Sequence, residues 1–276
     1  MVGHAVWLRD RGVVRVSGPE AASFLQGVLT NDVETVAAGE ARYAALLTPQ
    51  GKILFDFLAV RLPSDAGFAL DVAGDRAAEL AKRLSFYKLR AKVAVVDASA
   101  NEAVVALWGE TRTTHGVDYA DPRATGLGRR EIVTRENAEA VGEAARADYD
   151  ALRISLGVPL GGVDFAYGDA FPHDANFDWL HGVDFKKGCY VGQEVVSRMQ
   201  HRGGVRKRVL RVTFAGEPPK PGTPVLDGAL PVGTLGASVG REALALVRTD
   251  RVEEARQAGR PLTAEGVALE VAATVP

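Results

Sequence analysis

Lys187-Gly188-Cys189-Tyr190-Val191-Gly192-Gln193-Glu194 is the stretch on which the reading turns. It holds the one cysteine of the 276-residue chain, so no internal disulfide and no metal site of several thiolates can form. The pattern predicts a helix over 191–200, ended by Gly203-Gly204. Cys189 then stands where a glycine-rich loop becomes a helix. Backbone N–H groups at a helix start favour a thiolate, and Lys186 and Lys187 add positive charge. Lowering a thiol pKa by two units takes ~2.7 kcal/mol. A helix end supplies ~0.3–1 kcal/mol, so a reactive thiol here needs a lysine as well. A cysteine packed as a small hydrophobe fits the same residues. Gly188 and Gly192 suit either close approach to a ligand or a tight turn. Glu194 and Arg198 suit a solvated pair four residues apart. Gln193 and Glu194 also suit the edge of a heteroaromatic ring.

Around this stretch the chain is basic. From Lys186 to Arg211 there are eight basic residues (Lys186, Lys187, Arg198, Arg202, Arg206, Lys207, Arg208, Arg211), and Glu194 is the one acid. In a chain of net charge −2, such a window is where an anion is expected. The near-neutral total excludes nucleic-acid binding through the whole surface. Hydrophobic residues make up 47% and charged residues 25%, which excludes a largely disordered or fibrous chain. No run approaches the ~20 apolar residues of a membrane helix, and the first residues do not read as a signal peptide. The expectation is a cytoplasmic protein of about two compact units, with one or three also compatible with the length.

Upstream, residues 1–17 read as two short strands around Arg9-Asp10-Arg11-Gly12. Ser17-Gly18-Pro19-Glu20 opens a helix with Phe24, Leu25 and Val28 inside. Strands follow at 43–47, 52–62 and 68–72, a helix over 74–87, strands at 92–96, 104–108 and 131–133, and a helix over 144–155. This is an α+β pattern. From Gly161 to Asp184 the chain is rich in Gly, Asp, His and Pro, as in a loop packed across a pocket. After Arg206, short strands alternate with Pro/Gly turns and read as a small β-barrel or sandwich. Thr125-Gly126-Leu127-Gly128 lacks the third glycine of a dinucleotide fingerprint, and His173, Asp174, Asp178 and His181 match no zinc spacing. No metal is expected.

The motif K-G-C-Y-x-G-Q-E at Lys187–Glu194, followed by Arg198 and Arg202-Gly203, resembles the YgfZ family of folate-binding proteins, relatives of the glycine-cleavage aminomethyltransferase. Phe24-Leu25-Gln26-Gly27 with Thr30-Asn31-Asp32, Leu47–Leu54, Lys88–Val93, and Arg153-Ile154 with Gly157 and Pro159 agree in order, so the resemblance spans nearly the whole chain. It implies an α+β, three-domain aminomethyltransferase-like cloverleaf around a central folate channel, with a C-terminal small β-barrel. Domain 1 is discontinuous (1–46 and 150–204), domain 2 is an antiparallel sheet with helices (47–149), and the barrel is 205–276. The implied cofactor is tetrahydrofolate or another reduced folate. The implied chemical residues are Cys189 and Lys187, with Gly188, Tyr190, Gly192, Gln193, Glu194, Arg198, Arg202, Asn31 and Asp32 at the cofactor. The implied partners are iron–sulfur proteins, tRNA-modifying enzymes among them, or their assembly machinery. No membrane and no direct nucleic-acid partner is expected.

Two departures from the aminomethyltransferase matter. Gly51-Lys52-Ile53-Leu54-Phe55-Asp56 matches its G-x-I-x-D-D stretch with Phe55 in place of the first acid. Leu127 takes the place of the glutamate in its T-G-E-x-G stretch. Both favour a folate-dependent accessory factor for iron–sulfur enzymes over the alternative, an aminomethyl or one-carbon transferase.

Overall fold

The structure is a computed structural model that describes residues 3–63, 66–111, 116–141, 146–203 and 205–272, with the side chain of Arg202 excepted. Its centre is a five-stranded antiparallel sheet in the order β3-β4-β5-β2-β6. The strands are β2 (Arg11–Ser17), β3 (Ala41–Leu47), β4 (Ile53–Arg61), β5 (Phe68–Ala73) and β6 (Ala94–Asp97). Along β4, Phe55, Phe57 and Ala59 face one side and Leu58 and Val60 the other, and all are buried. A sheet read as a near-continuous apolar run is covered on both faces. Helices α1 (Ala21–Gln26) and α2 (Ala77–Tyr87) cover the first face through Phe24, Leu25, Leu80 and Leu84.

A four-stranded sheet, β1-β7-β9-β8, packs on the second face. It comprises β1 (His4–Trp7), β7 (Glu102–Trp108), β8 (Val117–Ala120) and β9 (Arg129–Thr134). Helix α3 (Arg135–Glu139) closes its far side through Ala138. The two strands expected at the N-terminus therefore part company: β1 pairs with β7, β2 with β5 and β6. The division expected at residue 46 is also not a structural break. β3 and β4 pair across it from Ala41↔Val60 to Leu47↔Ile53.

Downstream come α4 (Arg146–Ser155), a long irregular segment, α5 (Gln193–Arg202) and a closed barrel, β10-β13-β12-β11-β14-β15. Its strands are β10 (Lys207–Phe214), β11 (Pro224–Asp227), β12 (Leu230–Val239), β13 (Glu242–Arg248), β14 (Leu262–Ala264) and β15 (Val267–Val271), with α6 (Thr249–Gln257) packed on it through Val252 and Ala255. Closure removes the exposed edges that a sandwich would leave. Among the described residues, no helix is long and apolar enough to cross a membrane.

Charge, not only apolar contact, joins the two sheets. Asp71 on β5 is fully buried. It accepts from Arg11 of β2 at 2.6 Å, Arg130 of β9 at 2.5 Å and the Tyr119 hydroxyl of β8 at 3.0 Å. Arg130 also donates to the Tyr149 hydroxyl of α4 at 2.7 Å and pairs with Asp121 at 3.1 Å. Arg123 donates twice to Asp121, at 2.9 and 2.7 Å. Burial pushes both carboxyls up, but for Asp71 the guanidiniums of Arg11 and Arg130 outweigh it, and for Asp121 those of Arg123 and Arg130. Both end below the usual range. Breaking such a set by removing one partner typically costs 3–5 kcal/mol, because a buried charge is left alone.

Urea unfolding of Asp71→Ala should show a loss of about 3–5 kcal/mol, since Arg11 and Arg130 keep their burial and lose their partner. The depressed carboxyls stabilise the fold fully above pH ~4, and that stability is lost as pH falls through their folded-state values. A pH series of melts should therefore be steep in acid for the wild type and flatter for Asp71→Asn.

Candidate functional site

The 181–192 loop is seated by its contacts with the end of α1 and with β3. Thr30 donates to the Gly182 carbonyl at 2.7 Å and accepts from the Ala45 N–H. Buried Asn31 donates to the carbonyls of His181 at 2.6 Å and Tyr43 at 2.8 Å. Asp32 accepts from Thr35 and the Glu34 N–H, bonds that outweigh its slight burial and lower its pKa. The carboxylate of Asp184 accepts from the N–H groups of Lys186 and Lys187, tightening the turn before the motif.

Lys187 runs back under this loop. Its ammonium donates to the carbonyls of Gln26 at 2.7 Å, Leu29 at 2.6 Å and Asn31 at 3.0 Å. These include carbonyls that the short α1 leaves without an intrahelical partner. Burial pushes the Lys187 amine down to about 8, against the opposing pull of Asp32 and Asp184. Tyr190 is buried beside it, 5.2 Å from ring centroid to ammonium, and burial raises its phenol. Lys187 is thus a positioning residue. Among the described residues, no hydrogen bond joins it to Cys189.

Cys189 is exposed, and a side chain at Gly188 would meet open space. The thiol is displayed rather than packed as a hydrophobe. The helix begins later than the sequence suggests. Gly192 caps it in the left-handed region (φ 82°), so Gln193 is its first residue and Cys189 precedes it in the loop. Gly192 is required by contact: a Cβ there would come within 2.5 Å of the Thr48 carbonyl and 3.1 Å of Gly51. Of its two expected roles, the close turn is what the geometry supports. Glu194 and Arg198 are exposed on α5 and do not pair with each other. Gln193 is half-buried at the helix start. The side chain of Arg202 lies outside the described residues. The structure therefore brings Asn31, Asp32, Lys187, Tyr190 and Gly192 together as a seat, with Gly188 and Cys189 held outward.

A pocket of about 360 Å³ lies on other elements, between α4, the 176–180 loop and the barrel. Arg123, Leu156, Asn176, Trp179, Val209 and Arg211 line it. Asn176 is 3% exposed and donates to the Val209 carbonyl at 2.6 Å, while its Oδ1 is buried without a partner. Arg211 reaches the Ser155 carbonyl at 2.8 Å from the exposed rim. None of these residues belongs to the expected site. The one signal near them is Thr125–Gly128, two residues past Arg123. A larger hollow of 500 Å³ on the barrel is lined by Phe214, Leu262 and Leu269, and its Arg260 is paired with Asp227.

The two departures are core positions. Phe55 is fully buried and Leu127 is 1% exposed. Asp56 is 2% exposed and accepts from the hydroxyls of Tyr43 at 3.1 Å and Tyr167 at 2.5 Å. A carboxylate enclosed in this way is poorly placed to take a proton from a bound molecule. The His/Asp group serves structure: His173 meets Gln200 at 3.0 Å, and Asp178 holds Arg208 bidentately at 2.5 and 2.7 Å. Among the described residues, no three His, Cys, Asp or Glu side chains are grouped to hold a metal ion.

The GCVT N-terminal domain family matches residues 9–112, and the CAF17 C-terminal beta-barrel domain matches residues 206–275. The human mitochondrial iron–sulfur cluster assembly factor IBA57 is 33% identical over 98% of this chain and 83% of its own length. The mouse protein of that name is 32% identical over 89% and 78%. A Mycosarcoma maydis homolog of IBA57 is 34% identical over 80% of this chain, which spans 60% of that protein. In fold, the chain is similar to the glycine cleavage system aminomethyltransferase T from Bartonella henselae, with TM-score 0.80, 19% identity, and coverage of 98% and 85%. That likeness shows an aminomethyltransferase-like fold ending in a closed six-stranded barrel. The relatives' names are those of mitochondrial proteins, which overturns the cytoplasmic expectation.

Two measurements check the seat. A maleimide should label one thiol per native chain without denaturant, because Cys189 is exposed. Lys187→Met should lower stability to urea by about 1–3 kcal/mol, because carbonyls at the end of α1 lose their donor.

Proposed function

Because the chain belongs to the family of the iron–sulfur cluster assembly factor IBA57, we propose that it supports the assembly or repair of iron–sulfur enzymes, tRNA-modifying ones included, as a YgfZ-like accessory factor that binds tetrahydrofolate. The observation that carries this reading is the display of its one thiol from a tightly seated motif. A single thiolate does not hold a cluster alone. An exposed one suits contact with a client or with the assembly machinery. In this reading Lys187, Asn31, Asp32, Tyr190 and Gly192 hold the loop, and Cys189 does the work at its crest.

The 360 Å³ pocket supports the folate part. Its size lies within the range of small-molecule sites. The unpartnered Asn176 Oδ1 is an acceptor suited to an N–H of a pterin. Trp179 and Leu156 give apolar walls, and Arg211 at the rim faces solvent where glutamyl carboxylates would lie. When bound, the folate would supply a carrier of one-carbon units. The enclosure of Asp56 and the apolar Leu127 speak against aminomethyl transfer as the activity.

Three experiments test this. In a strain lacking its own protein of this family, the wild-type chain should restore iron–sulfur enzyme activity and Cys189→Ala should not, although both bind folate alike. Full rescue by Cys189→Ala removes the thiol from the proposal. Calorimetry with tetrahydrofolate should give saturable heat that weakens about fivefold in Arg211→Ala, equivalent to ~1 kcal/mol; no binding of a reduced folate at millimolar concentration overturns the folate part. Ammonia release from an aminomethyl-loaded carrier protein should stay at background, and robust turnover would make the chain a transferase.

A further inference from the structure

Helix α2 turns Ala77, Leu80 and Leu84 into the core, so its opposite face should be polar. It is not uniformly so. Phe86 is 75% exposed, and Leu89, just past the helix in a left-handed conformation (φ 45°), is 87% exposed. Lys82 and Arg83 stand four and three residues before Phe86, hence on its face of the helix. Lys88, Arg90 and Lys92 follow. From Leu80 to Val96 the chain has five basic residues and no acid. The whole chain carries −2, so this one segment of +5 stands against −7 on everything else. Among the described residues, none of the five forms an ion pair; Lys88 donates to the Val93 carbonyl.

We propose that residues 82–92 form a contact site for an anionic lipid surface, with Phe86 and Leu89 entering the interface and the five cations lying among the headgroups. Three observations favour lipid over an acidic protein. The apolar side chains project with almost no neighbours, and a fluid interface needs no shaped recess to receive them. Among the described residues the cations form no ion pair, and all but Lys88 are exposed, as suits a diffuse negative surface. Three of the chain's eight lysines fall within these eleven residues, although arginine outnumbers lysine 25 to 8 overall, and lysine is depleted at protein–protein interfaces. The expectation of no membrane partner rested on the lack of a spanning segment, and surface contact needs none.

The test is flotation of the full chain with vesicles of phosphatidylcholine containing 30% phosphatidylglycerol, against vesicles of phosphatidylcholine alone. The chain should float with the anionic vesicles only and be released by high salt, which screens the cations. Lys82→Glu with Lys92→Glu should abolish flotation. Phe86→Ser and Leu89→Ser should each reduce the bound fraction at least threefold, with thermal unfolding unchanged because both side chains are exposed. Equal flotation with neutral vesicles, or none with anionic ones, overturns the proposal. So does anionic binding that survives all four substitutions. Retention of a single-stranded RNA by this segment without vesicle binding would assign the patch to nucleic acid instead.

Discussion

Asp71 is the point from which the rest of the molecule is held. It sits where the two sheets face each other, and its two oxygens draw on β2, β8 and β9 at once. An apolar interface between sheets tolerates sliding, because dispersion has no direction. A carboxylate with three donors does not. Arg130 carries the constraint onward to Tyr149 of α4, and Asp121 carries it to Arg123 in the pocket wall. The charges nearly cancel within the set, which is the condition under which ions can stay buried. The pocket's shape is thereby a consequence of the sheet packing.

The motif is organised on a different principle. Its residues either pack inward to hold the loop or face outward into open space. Lys187, Tyr190 and Gly192 belong to the first kind, Gly188 and Cys189 to the second. In the proposed role, rigidity beside the exposed thiol matters because less freedom is lost when a partner engages it.

The fold was legible where a short stretch of sequence decides a local structure. Alternating Val/Leu/Thr runs between Pro/Gly turns marked the barrel, and the apolar run 53–60 marked β4. The late start of α5 was hidden because Gly192 reads equally as loop or helix until the Thr48–Gly51 turn is seen against it. Strand β14 is three residues long and α6 buries only Val252 and Ala255, so neither leaves a periodic trace. Asp71, inside the run F-A-L-D-V-A, reads as a blemish in a strand, because its partners lie 59 and 60 residues away. The pocket was illegible for the same reason. Arg123, Asn176 and Arg211 are neighbours only after three elements have packed, and no local motif can announce them.

The grip of Lys187 also sets a schedule. It ties the end of α1 to a loop between 156 and 161 residues further along the chain. During synthesis the central sheet is complete long before that lysine emerges, and N-terminal regions settle first. The loop that bears Cys189 takes its final form only when about two-thirds of the polypeptide has left the ribosome and docked. A truncated or half-folded product therefore lacks the seated loop, and in the proposed role any contact through the thiol is reserved for molecules in which that loop has docked.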